Sequence, residues 1–151
     1  MEGILGTHVV TQIGFIVKDI DAVAEEYSKM LGLNKPEANW TAGYSQALTQ
    51  FYGRPTEARA KLAFLHVGGN LDIELIQPDE HDSVWRKFLD EKGEGVQHIA
   101  FVVKDGMGNV LKRLNDAGCE TTMRGEYQGG RYAYVDTFKK LKVDIELLEN
   151  D

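Results

Sequence analysis

Apolar residues recur along the chain with two alternating periods. Residues 9–17 are apolar and β-branched, which predicts a strand. From residue 19 to 31 the spacing becomes helical: Ile20, Val23, Ala24, Tyr27 and Leu31 share a side, an aspartate lies near the start, and Gly32 is a stop. Residues 61–67 predict a strand, Gly68-Gly69-Asn70 a tight turn, and residues 71–76 the hairpin partner. Residues 80–92 predict a short amphipathic helix with Val84, Trp85, Phe88 and Leu89 on its apolar side. The cycle then returns: strand 96–103, helix 107–117 stopped by Gly118, a short strand at 120–124, a turn at Gly129-Gly130, and strands over 131–136 and 142–148. Residues 34–60 carry no clear period, only Gly, Pro, Thr and scattered aromatics.

The return is visible in the letters themselves. Gln12-Ile-Gly-Phe-Ile-Val-Lys-Asp19 matches His98-Ile-Ala-Phe-Val-Val-Lys-Asp105, an offset of 98 − 12 = 86. Asp72-Ile-Glu-Leu-Ile76 matches Asp144-Ile-Glu-Leu-Leu148, an offset of 144 − 72 = 72. Matched pairs in matched order indicate an internal duplication whose first copy is longer by 86 − 72 = 14 residues. Each half reads β-α-β-β(-β), which predicts an α+β fold with mixed sheet. One domain is expected over residues 1–151: module one at about 7–78, a linker helix at about 80–92, and module two at about 95–149. Helices cover one face of each sheet, so the free faces can curl around a shared cleft.

Composition narrows the function classes. Seventeen Lys and Arg against 24 Asp and Glu leave a net charge of −7 with no basic run, which argues against nucleic acid and anionic membrane as partners. No apolar run approaches the ~20 residues of a membrane span. Cys119 is the single cysteine, so neither an internal disulfide nor a cysteine zinc cluster is available, and it reads as a buried small residue. The first six residues are too short and too acidic for a signal peptide, and a cytoplasmic setting is the expectation.

Strand alternation singles out four positions. Gln12, Gly14 and Ile16 share one face of the first strand; His98, Ala100 and Val102 share the equivalent face of its repeat. Glu74 and Glu146 face away from their apolar neighbours Ile73, Leu75, Ile145 and Leu147. A carboxylate centred in an apolar strand is costly unless it is paired or binds a cation. The duplication makes Gln12 equivalent to His98 and Glu74 to Glu146, so two-fold related halves would bring all four to the seam. One imidazole, two carboxylates and one amide oxygen suit a divalent ion such as Zn²⁺, Co²⁺ or Ni²⁺.

Over nearly its whole length the sequence resembles the vicinal oxygen chelate superfamily, the glyoxalase I and methylmalonyl-CoA epimerase group. The nearest local likeness is to the epimerases, in Gln12 to Ile20, in Asp82-Ser83 and Lys87-Phe88-Leu89, in the run from Lys92 to Phe101, in Gly129-Gly130-Arg131, and in Ile145-Glu146-Leu147. The resemblance implies two tandem βαβββ modules with curled mixed sheets enclosing a metal-containing cleft, in a homodimer. It places the metal on Gln12, Glu74, His98 and Glu146. The chain departs from the epimerases at Gln12, where they usually carry His, and a Gln, Glu, His, Glu set resembles the eukaryotic glyoxalase I site. The Asp-Pro-Asp-Gly turn common in glyoxalase I is absent, residues 136–140 reading Asp-Thr-Phe-Lys-Lys. Some epimerases add a second basic Glu on the strand before the Gly-Asn turn; residues 61–65 offer no carboxylate.

The expected chemistry is a metal-stabilised enolate, with Glu146 as the base that removes the proton alpha to a carbonyl and Glu74 acting on the opposite face. The substrate expected is a small molecule, an acyl-CoA or other thioester, with methylmalonyl-CoA first. A glyoxalase I-like lactoylglutathione lyase is the alternative, and a non-catalytic small-molecule-binding protein of the same fold is the third reading. Arg54 and Arg131, and the aromatics of residues 40–52 and 127–134, are candidates for substrate contacts.

Overall fold

The protein, seen in a computed structural model, is described over residues 3–151. The reading of the first six positions therefore falls partly outside the described residues. Strand β1 (Gln12–Ile16) leads into helix α1 (Ile20–Leu31). Asp19 caps that helix by accepting from the Ala22 N–H, and Gly32 ends it in the left-handed region at φ 71°. Four short elements follow where the sequence shows no period: β2 (Asn39–Trp40), the single turn α2 (Tyr44–Ala47), β3 (Gln50–Phe51) and β4 (Arg54–Pro55). The hairpin of β5 (Ala60–Gly68) and β6 (Leu71–Pro78) closes the first half. Helix α3 (Val84–Lys92) crosses to β7 (Gly95–Val102), and α4 (Met107–Asp116), β8 (Thr121–Tyr127), β9 (Gly130–Val135), one-turn α5 (Phe138–Leu141) and β10 (Asp144–Asn150) complete the second.

Two elements begin later than the sequence predicts, for local reasons. The linker helix starts at Val84, not 80, because Asp79 folds residues 79–81 into a turn, accepting from the N–H groups of His81 and Arg59. The last strand starts at Asp144, because α5 and the left-handed Lys142 (φ 66°) occupy the residues before it.

All ten strands join one sheet in the order β2-β5-β6-β1-β7-β10-β9-β8-β3-β4. The first half contributes β2-β5-β6-β1 and the second its mirror, β7-β10-β9-β8, meeting at the antiparallel pair β1/β7. The registers repeat the duplication: Gln12 lies beside Asp72 and Gly14 beside Glu74 in one parallel pair, His98 beside Asp144 and Ala100 beside Glu146 in the other. The outward face carries Phe15, Ile73 and Leu75 under α1, and Ile99, Phe101, Ile145 and Leu147 under α4.

The other face cannot stay flat. β2 pairs with β5 near one end of the sheet and β3 with β8 near the other. Their eight strand spacings would span roughly 38 Å in a flat sheet. The ten residue steps from Trp40 to Gln50 reach at most ~33–36 Å when fully extended, and one turn of them is helical. The strap at residues 41–49 therefore holds the sheet curled into an open half-barrel, the α+β architecture the sequence predicts. Helix α3 plugs one end of the trough, packing Val84 and Trp85 against Ile16, Ala60, Ile76 and Tyr134.

The last strand also starts a helix. Gly106 gives α4 no side-chain cap, and Glu149 supplies one from β10: its Oε2 accepts from the Met107 N–H at 2.7 Å while Oε1 takes Arg131 at 2.7 Å. The Met107 N–H first, then Arg131, hold the Glu149 carboxyl below the usual range. A carboxyl depressed in the folded state contributes stability above its unfolded pKa and loses it as pH falls through the folded value. Glu149→Ala is expected to cost about 1 kcal/mol, lowering Tm by about 2–4 °C at pH 7. The difference from wild type should shrink to nothing in acid, and thermal melts across pH check both parts.

Candidate metal centre

The trough's inner face places the four singled-out residues on four adjacent strands. Gln12 and His98 come from the central pair β1/β7, while Glu74 and Glu146 come from the flanking β6 and β10. His98 is fully buried, Glu74 is 6% exposed and Glu146 4%. The carboxylates approach the same imidazole nitrogen, Glu146 Oε2 at 2.9 Å and Glu74 Oε1 at 3.3 Å from His98 Nε2. Potential ligand atoms of these three residues lie within 4.8 Å of one another. The ring fits because its cross-strand neighbour is Gly14: a Cβ built there would fall inside the His98 imidazole.

A sheet irregularity fixes how the ring presents itself. The β1/β7 register slips between Gly14 and Phe15, which pair with His98 and Val96, so Gln97 is an extra residue on β7. Such a bulge re-aims a side chain. Gln97 is buried, and its Oε1 accepts from His98 Nδ1 at 2.7 Å. With a proton held on Nδ1, Nε2 is the nitrogen turned toward the carboxylates and the one that would meet an ion.

The donor set and its electrostatics fit a divalent cation. Neither carboxylate contact with Nε2 is aligned as a hydrogen bond; Gln12 Oε1, Glu74 Oε1, Glu146 Oε2 and His98 Nε2 are all buried without such a partner. Burial alone would push the His98 imidazole down, but the Glu146 carboxylate, and then that of Glu74, hold it up at about 10. Burial also pushes the Glu74 carboxyl up, with Glu146 adding to it against the pull of His98. Two carboxylates balance a divalent ion in charge, and the neutral imidazole and amide oxygen complete the donor set without adding any.

The group opens into a cavity of about 1060 Å³ lined by Gln12, Glu74 and Glu146, by Trp85, Tyr132 and Tyr134 at its floor, and by strap residues. Two further carboxylates, Asp72 and Glu126, line it, and among the described residues no lysine or arginine does. The candidate substrate arginines are accordingly elsewhere. Arg131 is held by Glu149, Asp151 and Glu126, and Arg54 sits in the exposed β4 hairpin. Trp40, Tyr127, Tyr132 and Tyr134 do line the cavity. His66 pairs with Asp72 outside the cluster, and Cys119 is buried in the core beneath α4. Sequence reasoning misses Gln97, since a residue next to a histidine on a regular strand faces the other way. It also misses the floor contact of Trp85 and Tyr134, whose residues lie on different elements.

Similarity to known proteins bears on this geometry. A family model described as the glyoxalase/bleomycin resistance protein/dioxygenase superfamily matches residues 11–135. An uncharacterized protein of Bacillus subtilis (strain 168), YqjC, is 31% identical over 96 residues, covering 62% of this chain and 67% of that one. The crystal structure of methylmalonyl-CoA epimerase from Mycobacterium tuberculosis superposes with a TM-score of 0.62 at 26% identity, covering 94% of this chain and 87% of that one. A methylmalonyl-CoA epimerase in complex with methylmalonyl-CoA and NH4+ shares the fold, with a TM-score of 0.60 at 23% identity over 93% of each chain.

The centre makes a pH prediction whose sign differs with and without metal. A histidine pKa raised from its unfolded value of about 6.5 contributes stability that is fully present below that value and lost as pH rises toward about 10. The raised Glu74 carboxyl acts in the same direction. Chelator-treated protein should lose Tm between pH 6.5 and 9. Zinc-, cobalt- or nickel-loaded protein should gain Tm over the same range, because the ligands bind the ion only when deprotonated. Gln97→Ala should weaken metal affinity by about 10–100-fold. Parallel pH curves with and without metal would contradict the assignment.

Proposed function

The chain belongs to the glyoxalase/bleomycin resistance protein/dioxygenase superfamily, and on that premise we propose that it is a metal-dependent epimerase or isomerase that removes the proton alpha to a thioester carbonyl, with methylmalonyl-CoA as the substrate to test first. The observation that carries this reading is the buried Glu74–His98–Glu146 cluster, with its unpartnered ligand atoms, open to the large cavity. Gln12, Glu74, His98 and Glu146 are the residues that would hold the ion, zinc, cobalt or nickel in type. Such an ion supplies Lewis-acid stabilisation of negative charge on substrate oxygens.

The chain's own residues do the rest. Glu146 is the base for the alpha proton, and Glu74, reaching the centre from the strand on the other flank, serves the opposite face of the carbon. Carboxylates on both flanks of a bound carbon are what inversion requires, which supports epimerisation. Among the described residues, the cavity wall carries four carboxylates and no fixed cation. An anionic substrate is therefore repelled from the unloaded protein, and the ion governs binding as well as turnover. The superposition with the M. tuberculosis epimerase agrees in fold over most of both chains. A second reading, a glyoxalase I-like lactoylglutathione lyase, is favoured by one position alone: an amide at Gln12 in place of an imidazole.

Solvent deuterium exchange at C2 of methylmalonyl-CoA tests the proposal. Metal-loaded wild type should exchange, Glu146→Gln should lose at least ~10²-fold in rate, and chelated protein should not bind the thioester measurably by calorimetry. Metal bound without exchange would move the weight to lactoylglutathione chemistry, with formation of S-lactoylglutathione from the glutathione hemithioacetal as its assay. Ligand retained without exchange in either assay would leave a binding protein.

A further inference from the structure

The floor of the cavity holds a polar pair that the two carboxylates and their ligand partners leave unused. Trp85, at the start of α3, donates its indole N–H to the Tyr134 hydroxyl at 2.9 Å. Both side chains are buried, Trp85 4% and Tyr134 2% exposed, and both line the cavity. Tyr134 is the direct cross-strand neighbour of Glu146, so the two side chains share the inner face. Its ring also stands edge-on to the His98 imidazole, with centroids 5.2 Å apart. The hydroxyl oxygen is thus supplied with a donor, while its own proton has no acceptor among the described residues. A buried donor left without an acceptor beside a reaction centre is costly unless the substrate completes it.

We infer that the Tyr134 hydroxyl donates a hydrogen bond to the oxygen on which charge develops when the alpha proton is removed, and that Trp85 is its positioning residue. This rests on the enolate reading above. No covalent change occurs at Tyr134: the alpha proton passes to Glu146, the C–H bonding pair moves into the enolate, and the phenol keeps its proton throughout. A fixed donor aimed at developing charge in a water-poor site is the arrangement that lowers the barrier most. The indole N–H holds the phenol oxygen in place, so the phenol spends none of its donor geometry on a protein acceptor.

The test uses metal-loaded wild type, Tyr134→Phe and Trp85→Phe, with acetohydroxamate as a small bidentate oxyanion probe and deuterium exchange at C2 of methylmalonyl-CoA as the activity. Tyr134→Phe should bind acetohydroxamate at least about tenfold more weakly and lose about 100-fold in kcat for exchange, with KM little changed and metal content intact. Trp85→Phe keeps the hydroxyl but frees it, and should give a smaller loss in kcat, again without a change in KM. Equal hydroxamate affinity in wild type and Tyr134→Phe overturns the inference while leaving the enolate reading standing if wild type exchanges. A loss of hydroxamate affinity without exchange in wild type sinks the methylmalonyl-CoA reading and supports the role of Tyr134. Failure of wild type to retain a divalent ion overturns both. Should Tyr134→Phe not fold, unchanged affinity and kcat in Trp85→Phe overturns the inference instead.

Discussion

Two buried carboxylates facing one imidazole set the terms for the rest of the structure. Glu74 and Glu146 are withdrawn from water between apolar neighbours, Ile73 and Leu75 on one strand and Ile145 and Leu147 on the other. The cost of burying such charges is met only by an opposite charge in good geometry. In the protein alone that charge is a protonated His98, and the contacts are misaligned as hydrogen bonds. A divalent ion would satisfy the same atoms and balance both charges. The curled sheet, the glycine under the ring and the bulge beside it are all consistent with holding these donors around one point.

The duplication explains why the centre falls at the seam, and the departures from it explain why the cavity has a shape. The registers of β1/β6 and β7/β10 are equivalent residue for residue. Nothing in the second half answers to the strap at residues 41–49, which ties the first half's edge to the far side of the sheet. Nor does α3 have a counterpart: it closes one end of the trough and leaves the other open. The ligand shell is thus two-fold in origin, while the space around it is one-sided, with aromatics at the floor and the strap as a wall.

Much of this is legible in the letters because the signals are periodic and local. Alternation along β1, β6, β7 and β10 states which side chains turn inward, and the repeat states which are equivalent. The four candidate ligands follow from those facts before any coordinate is known. What is not legible is non-local or aperiodic. Residues 39–55 form elements of two to four residues whose strands exist only because β5 and β8 offer edges to pair with. Gln97 faces inward only because the register slips beside it, and strict alternation puts it on the wrong side. The engagement of Arg131 by Glu149 and Asp151 depends on the far end of the chain running alongside β9.

The same slip breaks the chemical symmetry of the ligand set. His98 has Gly14 beneath its ring and Gln97 on its far nitrogen, so its orientation and tautomer are both held. Gln12 occupies the equivalent place on β1, opposite Ala100, and its buried carbonyl oxygen has no hydrogen-bond partner among the described residues. An oriented imidazole is a fixed anchor for an ion, whereas a neutral amide oxygen is a weak ligand whose side chain keeps its freedom. The two-fold related positions therefore differ in how far the protein fixes them, and Gln12, the less fixed of the two, lies on the cavity wall. On the metal reading proposed above, Glu74, His98 and Glu146 would retain the ion, and Gln12 would be the donor that a substrate oxygen displaces.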